Sequence, residues 1–268
     1  MITGRIFYGL AITGIGVLHF VRKGFRQMIS AMQPENPEDI SIIVYIFGLY
    51  LVVSGLLIIF GKKLKITSII LAYVLILFLV FGHLPRRIMN NPGELGEWTN
   101  VLKLLAFIGG AFLLSTTSSE SVSNNYISKL GKPAPYGKYF FCTMFIAFGI
   151  DHFIYVDFVS GLVPKWIPFP IFWSYFTGIA LLGAGISGFI NFKTKLVFQL
   201  AAIMLFIWLL TIHLVLAIKY PEWNNGENAT ACCQCLAFTG IALLIAGTSE
   251  REINSIPPIL STSRDRLA

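Results

Sequence analysis

The sequence predicts an all-α integral membrane protein of eight transmembrane helices, arranged as two tandem four-helix bundle repeats in the same orientation. Three observations predict it. Of 268 residues, 56% are hydrophobic and 12% charged, whereas soluble domains carry about 25% charged residues. The apolar stretches approach the ~20 residues that cross a bilayer as a helix, and lipid offers no partner for backbone groups, so helices rather than strands are expected. The third observation is self-similarity, which is sought before any finer reading. Gly4-Arg5-Ile6-Phe7 matches Gly137-Lys138-Tyr139-Phe140, and Gly16-Val17-Leu18-His19-Phe20 matches Gly149-Ile150-Asp151-His152-Phe153, at an offset of 133. At 130, Gly48 meets Gly178, Gly55 meets Gly185, Lys63 and Lys65 meet Lys193 and Lys195, and His83 meets His213. Leu105-Ala106-Phe107-x-Gly109 matches Leu236-Ala237-Phe238-x-Gly240 at 131, so one unit of roughly 130 residues is written twice.

In chain order, the first repeat, 1–115, holds spans at 5–21, 41–60, 66–84 and 100–115. The first and fourth are short and reach the interface through snorkelling flanks. Thr116 to Tyr136 is rich in Ser, Asn, Gly and Pro, the composition of a solvated linker, here on the cytoplasmic side. The second repeat, 137–249, holds spans at 138–156, 170–190, 195–218 and 232–248, and 250–268 forms a short cytoplasmic tail. Small residues between Gly178 and Gly188 suit close helix packing. Four spans per unit give both repeats one orientation, related by an axis along the membrane normal.

Orientation follows from the basic residues, which concentrate in cytoplasmic loops. Twelve of the twenty lie on the face holding both termini, among them Arg5, Lys62, Lys63, Lys65, Lys138, Lys193 and Lys195. The other face carries nine acidic residues against eight basic ones, so both termini are expected in the cytoplasm. The formal charge of +7 therefore reads as topology, with no nucleic-acid footprint, since the basic residues are spread over short loops. The first span starts at the N-terminus without a small-residue cleavage site and is expected to stay as a helix. Trp98, Trp166, Trp173 and Trp223 fall at the outward boundary, where an aromatic belt belongs.

The chain has four histidines, His19, His83, His152 and His213, each within an apolar span and each towards the outward end. Ionisable groups inside a membrane face the bundle interior and mark function, while the bland alternative is a hydrogen bond to a neighbouring helix worth about 1 kcal/mol. Asp151 is adjacent to His152, and neighbours in a helix do not face each other, so Asp151 needs a partner from another element. Arg22, Arg26, Arg86, Arg87, Lys165 and Lys219 share that face, either as an electropositive vestibule for an anionic substrate or as snorkelling anchors. Cys232, Cys233 and Cys235 open the eighth span, and Cys232 with Cys235 gives C-x-x-C spacing at a helix start, where the dipole favours thiolate. They read either as a redox pair or as packing residues; thiolates with His213 are metal ligands by type, with the metal unknown. Walker, G-x-S-x-G and H-E-x-x-H motifs are absent from the sequence, which removes the common ATPase and hydrolase signatures.

The runs Gly149-Ile150-Asp151-His152-Phe153, Val163-Pro164-Lys165-Trp166-Ile167-Pro168 and Phe172-Trp173-Ser174-Tyr175-Phe176-Thr177-Gly178 resemble the DoxX/DoxD-like family of four-helix membrane proteins. The first half is less similar, with Met32-Gln33-Pro34-Glu35-Asn36-Pro37 in place of the Pro-x-Trp-x-Pro segment. The resemblance implies thiosulfate and quinone oxidation or thiol redox homeostasis beside membrane partners. The leading expectation is an electron-transfer or thiol/sulfur-redox subunit of a bacterial inner membrane. It would bind quinone or haem through the histidines, with Asp151 and Trp166 nearby, and exchange electrons through Cys232 and Cys235. The alternatives are a carrier of a small anion or lipid-like substrate, with Arg86, Arg87 and Lys165 as substrate contacts, and a non-enzymatic scaffold for a partner protein. The segment Pro164 to Pro170 is expected to lie over the outer end as a lid, since Pro withholds backbone donors and disfavours helix before it.

Overall fold

A computed structural model describes residues 1–30, 41–89, 92–121 and 124–255. Its long helices are α1 (Ile2–Arg22), α2 (Ser41–Phe60), α3 (Leu64–Met89), α4 (Leu95–Thr116), α6 (Gly137–Ile154), α8 (Pro170–Ile190), α9 (Thr194–Lys219) and α10 (Glu227–Ser255). Two short helices, α5 (Asn125–Leu130) and α7 (Val156–Gly161), lie in the connections, and the described residues contain no strand. Seven of the long helices are long and apolar enough to cross a membrane. The remaining one, α6, has 18 residues and carries Lys138, Asp151 and His152. The expected segment boundaries hold to within a few residues, with larger differences at four ends, one of them the C-terminal end of α10, which runs to Ser255 rather than 248. Helix α3 continues to Met89, α4 begins with a 3-10 turn at Leu95, and α10 begins at Glu227 rather than at residue 232. The Met32–Pro37 segment and most of the expected tail lie outside the described residues.

Helix α1 packs along α2 as α6 packs along α8, and α3 packs on α4 as α9 packs on α10. Positions paired by the sequence alignment make the same contacts. A methyl group on Gly48 would lie 3.0 Å from the His19 Cβ, and one on Gly178 would lie 2.9 Å from the His152 Cβ. Such sites require glycine because the facing helix leaves no room for a side chain. At the end of the bundle that holds the N-terminus, Gly61 and Lys63 turn the chain at positive φ between α2 and α3, and Asn191 and Lys193 do so between α8 and α9. Arg5 lies over the first turn, and the Lys138 ammonium donates to the Asn191 side-chain oxygen at 2.6 Å over the second.

The two halves meet along α1 with α10, α4 with α6, and α4 with α10. Gly4 faces the Gly240 carbonyl at the first crossing, and Gly137 faces the Gly109 carbonyl at the second. Beside the first, the buried Tyr8 hydroxyl donates to the Phe107 carbonyl at 2.6 Å. Helices α4 and α10 are the most enclosed of the spanning candidates. The linker is less free than its composition implies. Glu120 accepts the Leu64 and Lys65 backbone N–H groups at 3.1 Å each, which caps α3, and Asn124 caps α5.

Candidate functional site

All four histidines lie towards one end of the bundle. Helix α3 contains a π turn at Phe78–His83 and α9 one at Leu209–His213, each ending on a histidine. Such turns widen a helix locally and recur at functional positions. His19 Nδ1–H donates to the Ile15 carbonyl at 2.7 Å and His152 Nδ1–H to Phe148 at 2.6 Å, so each ring is held against its own helix. His83 Nε2–H donates to the Met28 carbonyl at 2.9 Å. His19 and His83 are fully buried, whereas His152 and His213 are half-buried and His152 stacks on Trp208.

This arrangement does not bring His83 and His213 together, because α4 and α10 stand between α3 and α9. The buried histidines also fit haem poorly. His83 uses the nitrogen that an axial ligand would offer, and Phe25 and Phe47 pack against the His19 ring at 5.8 and 5.3 Å. Asp151 keeps one buried carboxylate oxygen without a hydrogen-bond partner. Trp166 and Lys165 are exposed, and Phe169 is 75% exposed, so the Pro164–Pro170 segment stands away from the bundle and is not the expected lid. The inward cap belongs instead to the first half. There a turn with Arg26 accepting from Ile29 and Ser30 N–H buries Phe25, Met28 and Ile29 against His19 and His83.

The cysteines are free thiols and do not sit in the first turn of their helix. Cys232 and Cys235 follow Glu227, the first residue of α10, by more than a turn, where the helix-dipole effect has faded. Cys235 is buried and its thiol donates to the Leu205 carbonyl at 3.2 Å; Cys232 is half-buried. Among the described residues no cluster of three or more His, Cys, Asp or Glu is placed to hold a metal ion. A cleft of about 170 Å³ lined by Met1, Thr3, Gln199 and Gly247 lies at the N-terminal end of the bundle, away from the histidines.

What the fold assembles at the histidine end is a set of charges around one fully buried arginine. The Arg26 side chain is 1% exposed; one of its nitrogens, Nη2, donates to the Asn225 carbonyl at 2.7 Å and lies 4.0 Å from Glu227. Its Nε and Nη1 are buried without a hydrogen-bond partner. Burial pulls the guanidinium below its usual range, Glu227 opposes that, and Arg22 adds to it. Glu227 accepts from Gln234 at 3.5 Å and interacts electrostatically with Lys103, which is also within electrostatic reach of His213. Arg26 acts in the same way on His19. Arg22 closes the cluster from outside. It pairs with the exposed Glu222, donates to the Pro221 carbonyl at 2.8 Å, and lies across Gly226, whose φ of +78° and missing side chain make room for it.

Of the expected vestibule residues, Arg22 and Arg26 belong to this cluster, whereas Arg87 pairs with Glu97 at the rim and Arg86 is exposed. Lys103 was legible as a lone lysine inside the fourth apolar stretch, matched by Gln234 in the second half. The burial of Arg26 had no such signal, since it lies in a connection. No protein-family model matches the chain, nor does any curated protein or solved structure.

Proposed function

We propose that the chain is an eight-span protein of a bacterial inner membrane, built from two like-oriented DoxX-like four-helix units with cytoplasmic termini. We read it as a carrier whose substrate engages the charge cluster at the outer end of the seam between the units. The observation that carries this reading is the fully buried Arg26, 4.0 Å from the half-buried Glu227, with the half-buried Lys103 within electrostatic reach of that carboxylate. Charges enclosed in a membrane bundle are costly and mark substrate or ion paths, and a carboxylate surrounded by two cations serves packing no better than apolar side chains would. Matched contacts of paired glycines in each half support the duplicated architecture.

The test is an untargeted comparison of solutes in cells carrying the native chain and the Lys103→Leu, Glu227→Leu double variant at matched membrane abundance. The expected result is a charged solute whose level differs between the two; identical profiles sink the carrier reading. A second reading, the thiol-redox subunit, is favoured by Cys232, half-buried and one helical turn from Cys235. For that role, oxidation must protect both thiols from alkylation together in membranes, and reduction must restore them; independent labelling rejects it.

A further inference from the structure

Among the described residues, Arg26 is short of an acceptor. Arg26 brings a fully buried positive charge to the seam, Glu227 brings one negative charge 4.0 Å from it, and the half-buried Lys103 is within electrostatic reach of Glu227. Glu227 does not saturate Arg26, because its closest approach is 4.0 Å to Nη2, and that nitrogen already donates to the Asn225 carbonyl. Two further nitrogens of the same side chain, Nε and Nη1, are buried with no acceptor. A guanidinium presents such donors in a fixed planar fork that fits two oxygens of one carboxylate or phosphate. A buried charge without full compensation is strongly unfavourable. The neighbouring ion pair is directed elsewhere: Arg22 holds Glu222 and the Pro221 carbonyl, and its own Nε is buried over Gly226 without an acceptor.

We infer that Arg26, through Nε and Nη1, forms a binding site for one oxyanion at the histidine end of the seam, with Glu227 as an internal competitor for the same cation. This deepens the carrier reading and names its substrate class, a phosphate or carboxylate group. Two sources carry that chemistry at this depth: a free oxyanion from the outer compartment and the phosphodiester of an anionic lipid.

The experiment uses the purified full-length chain in neutral detergent, with inorganic phosphate and phosphatidylglycerol as probes. Melting temperature is followed against phosphate concentration, and lipid retained through purification is measured by native mass spectrometry. Saturable stabilisation by phosphate, weakened about tenfold or more in Arg26→Gln and strengthened several-fold in Glu227→Gln, establishes a site for a free oxyanion. Retained phosphatidylglycerol that is lost in Arg26→Gln and increased in Glu227→Gln, with no response to phosphate, establishes a lipid site. The gain expected in Glu227→Gln cannot come from misfolding, so it tests the proposal even where Arg26→Gln fails to fold. Indifference of the native chain and Glu227→Gln to both probes overturns the site. Oxyanion binding without any difference in cellular solutes leaves the site standing and rejects the carrier; a solute difference without oxyanion binding does the reverse.

Discussion

The two halves share their helix pairings and differ at their histidine ends. In the first half, the connection after α1 turns inward, buries Phe25, Met28 and Ile29, and leaves His19 and His83 with no exposed surface. In the second, the corresponding connection runs outward through α7 to Phe169, with Phe158 71% and Trp166 73% exposed, and both histidines are only half-buried. The crossings differ in the same sense. Arg22, Arg26 and Gln27 bind the chain around Glu222–Glu227, whereas the other crossing has the Tyr155 hydroxyl accepting the Gly96 N–H at 3.0 Å. Shared helix packing thus permits one end to be sealed and charged while its counterpart stays open.

This contrast can be broken most strongly at Met28. Met28→Ala removes a fully buried side chain and is expected to cost about 2–5 kcal/mol, while Trp166→Ala, at a side chain 73% exposed, leaves thermal stability in detergent nearly unchanged. Similar losses for the two would mean that the second connection is also packed. Next comes His83→Ala, which strands the buried Met28 carbonyl and is expected to cost about 1–3 kcal/mol. His213→Ala, with no matching bond to a connection, should lose less than half as much in the same melting experiment. The shared packing is probed by Gly48→Ala and Gly178→Ala. Each places a methyl group against a histidine Cβ, and each is expected to cost about 1–3 kcal/mol, with the two melting shifts alike; a large inequality would show that the halves pack differently. The smallest effect belongs to Glu222→Gln, which removes one member of a pair whose carboxylate is 78% exposed. It should change stability by at most about 1 kcal/mol, less at high salt.

Helix positions were legible because apolar runs of spanning length have few alternative structures. The repeat offsets were equally informative, since they aligned Gly48 with Gly178 and His83 with His213, and these pairs occupy matching places. The cluster was legible only in part. Lys103 was visible as a charge inside an apolar stretch, but Glu227 was read as a loop residue, because the helix gains its first turn from Glu227-Asn228-Ala229-Thr230, which has no apolar signature. Arg26 is buried by contacts with residues some two hundred positions away, such as Asn225, and no local pattern encodes them. The Pro-rich segment misled for the opposite reason: its proline and tryptophan pattern locates it at the interface but does not fix its direction there.

The Gly4–Gly240 crossing joins the first long helix to the last. During synthesis, the face of α1 carrying Gly4 must therefore wait in the bilayer until α10 has been made. At ~5–20 residues per second, that interval is on the order of ten to fifty seconds. Closure of the seam, and with it formation of the charge cluster, waits on the synthesis of α10. A ribosome stalled before Glu227 leaves a chain that is inserted but still open along one side.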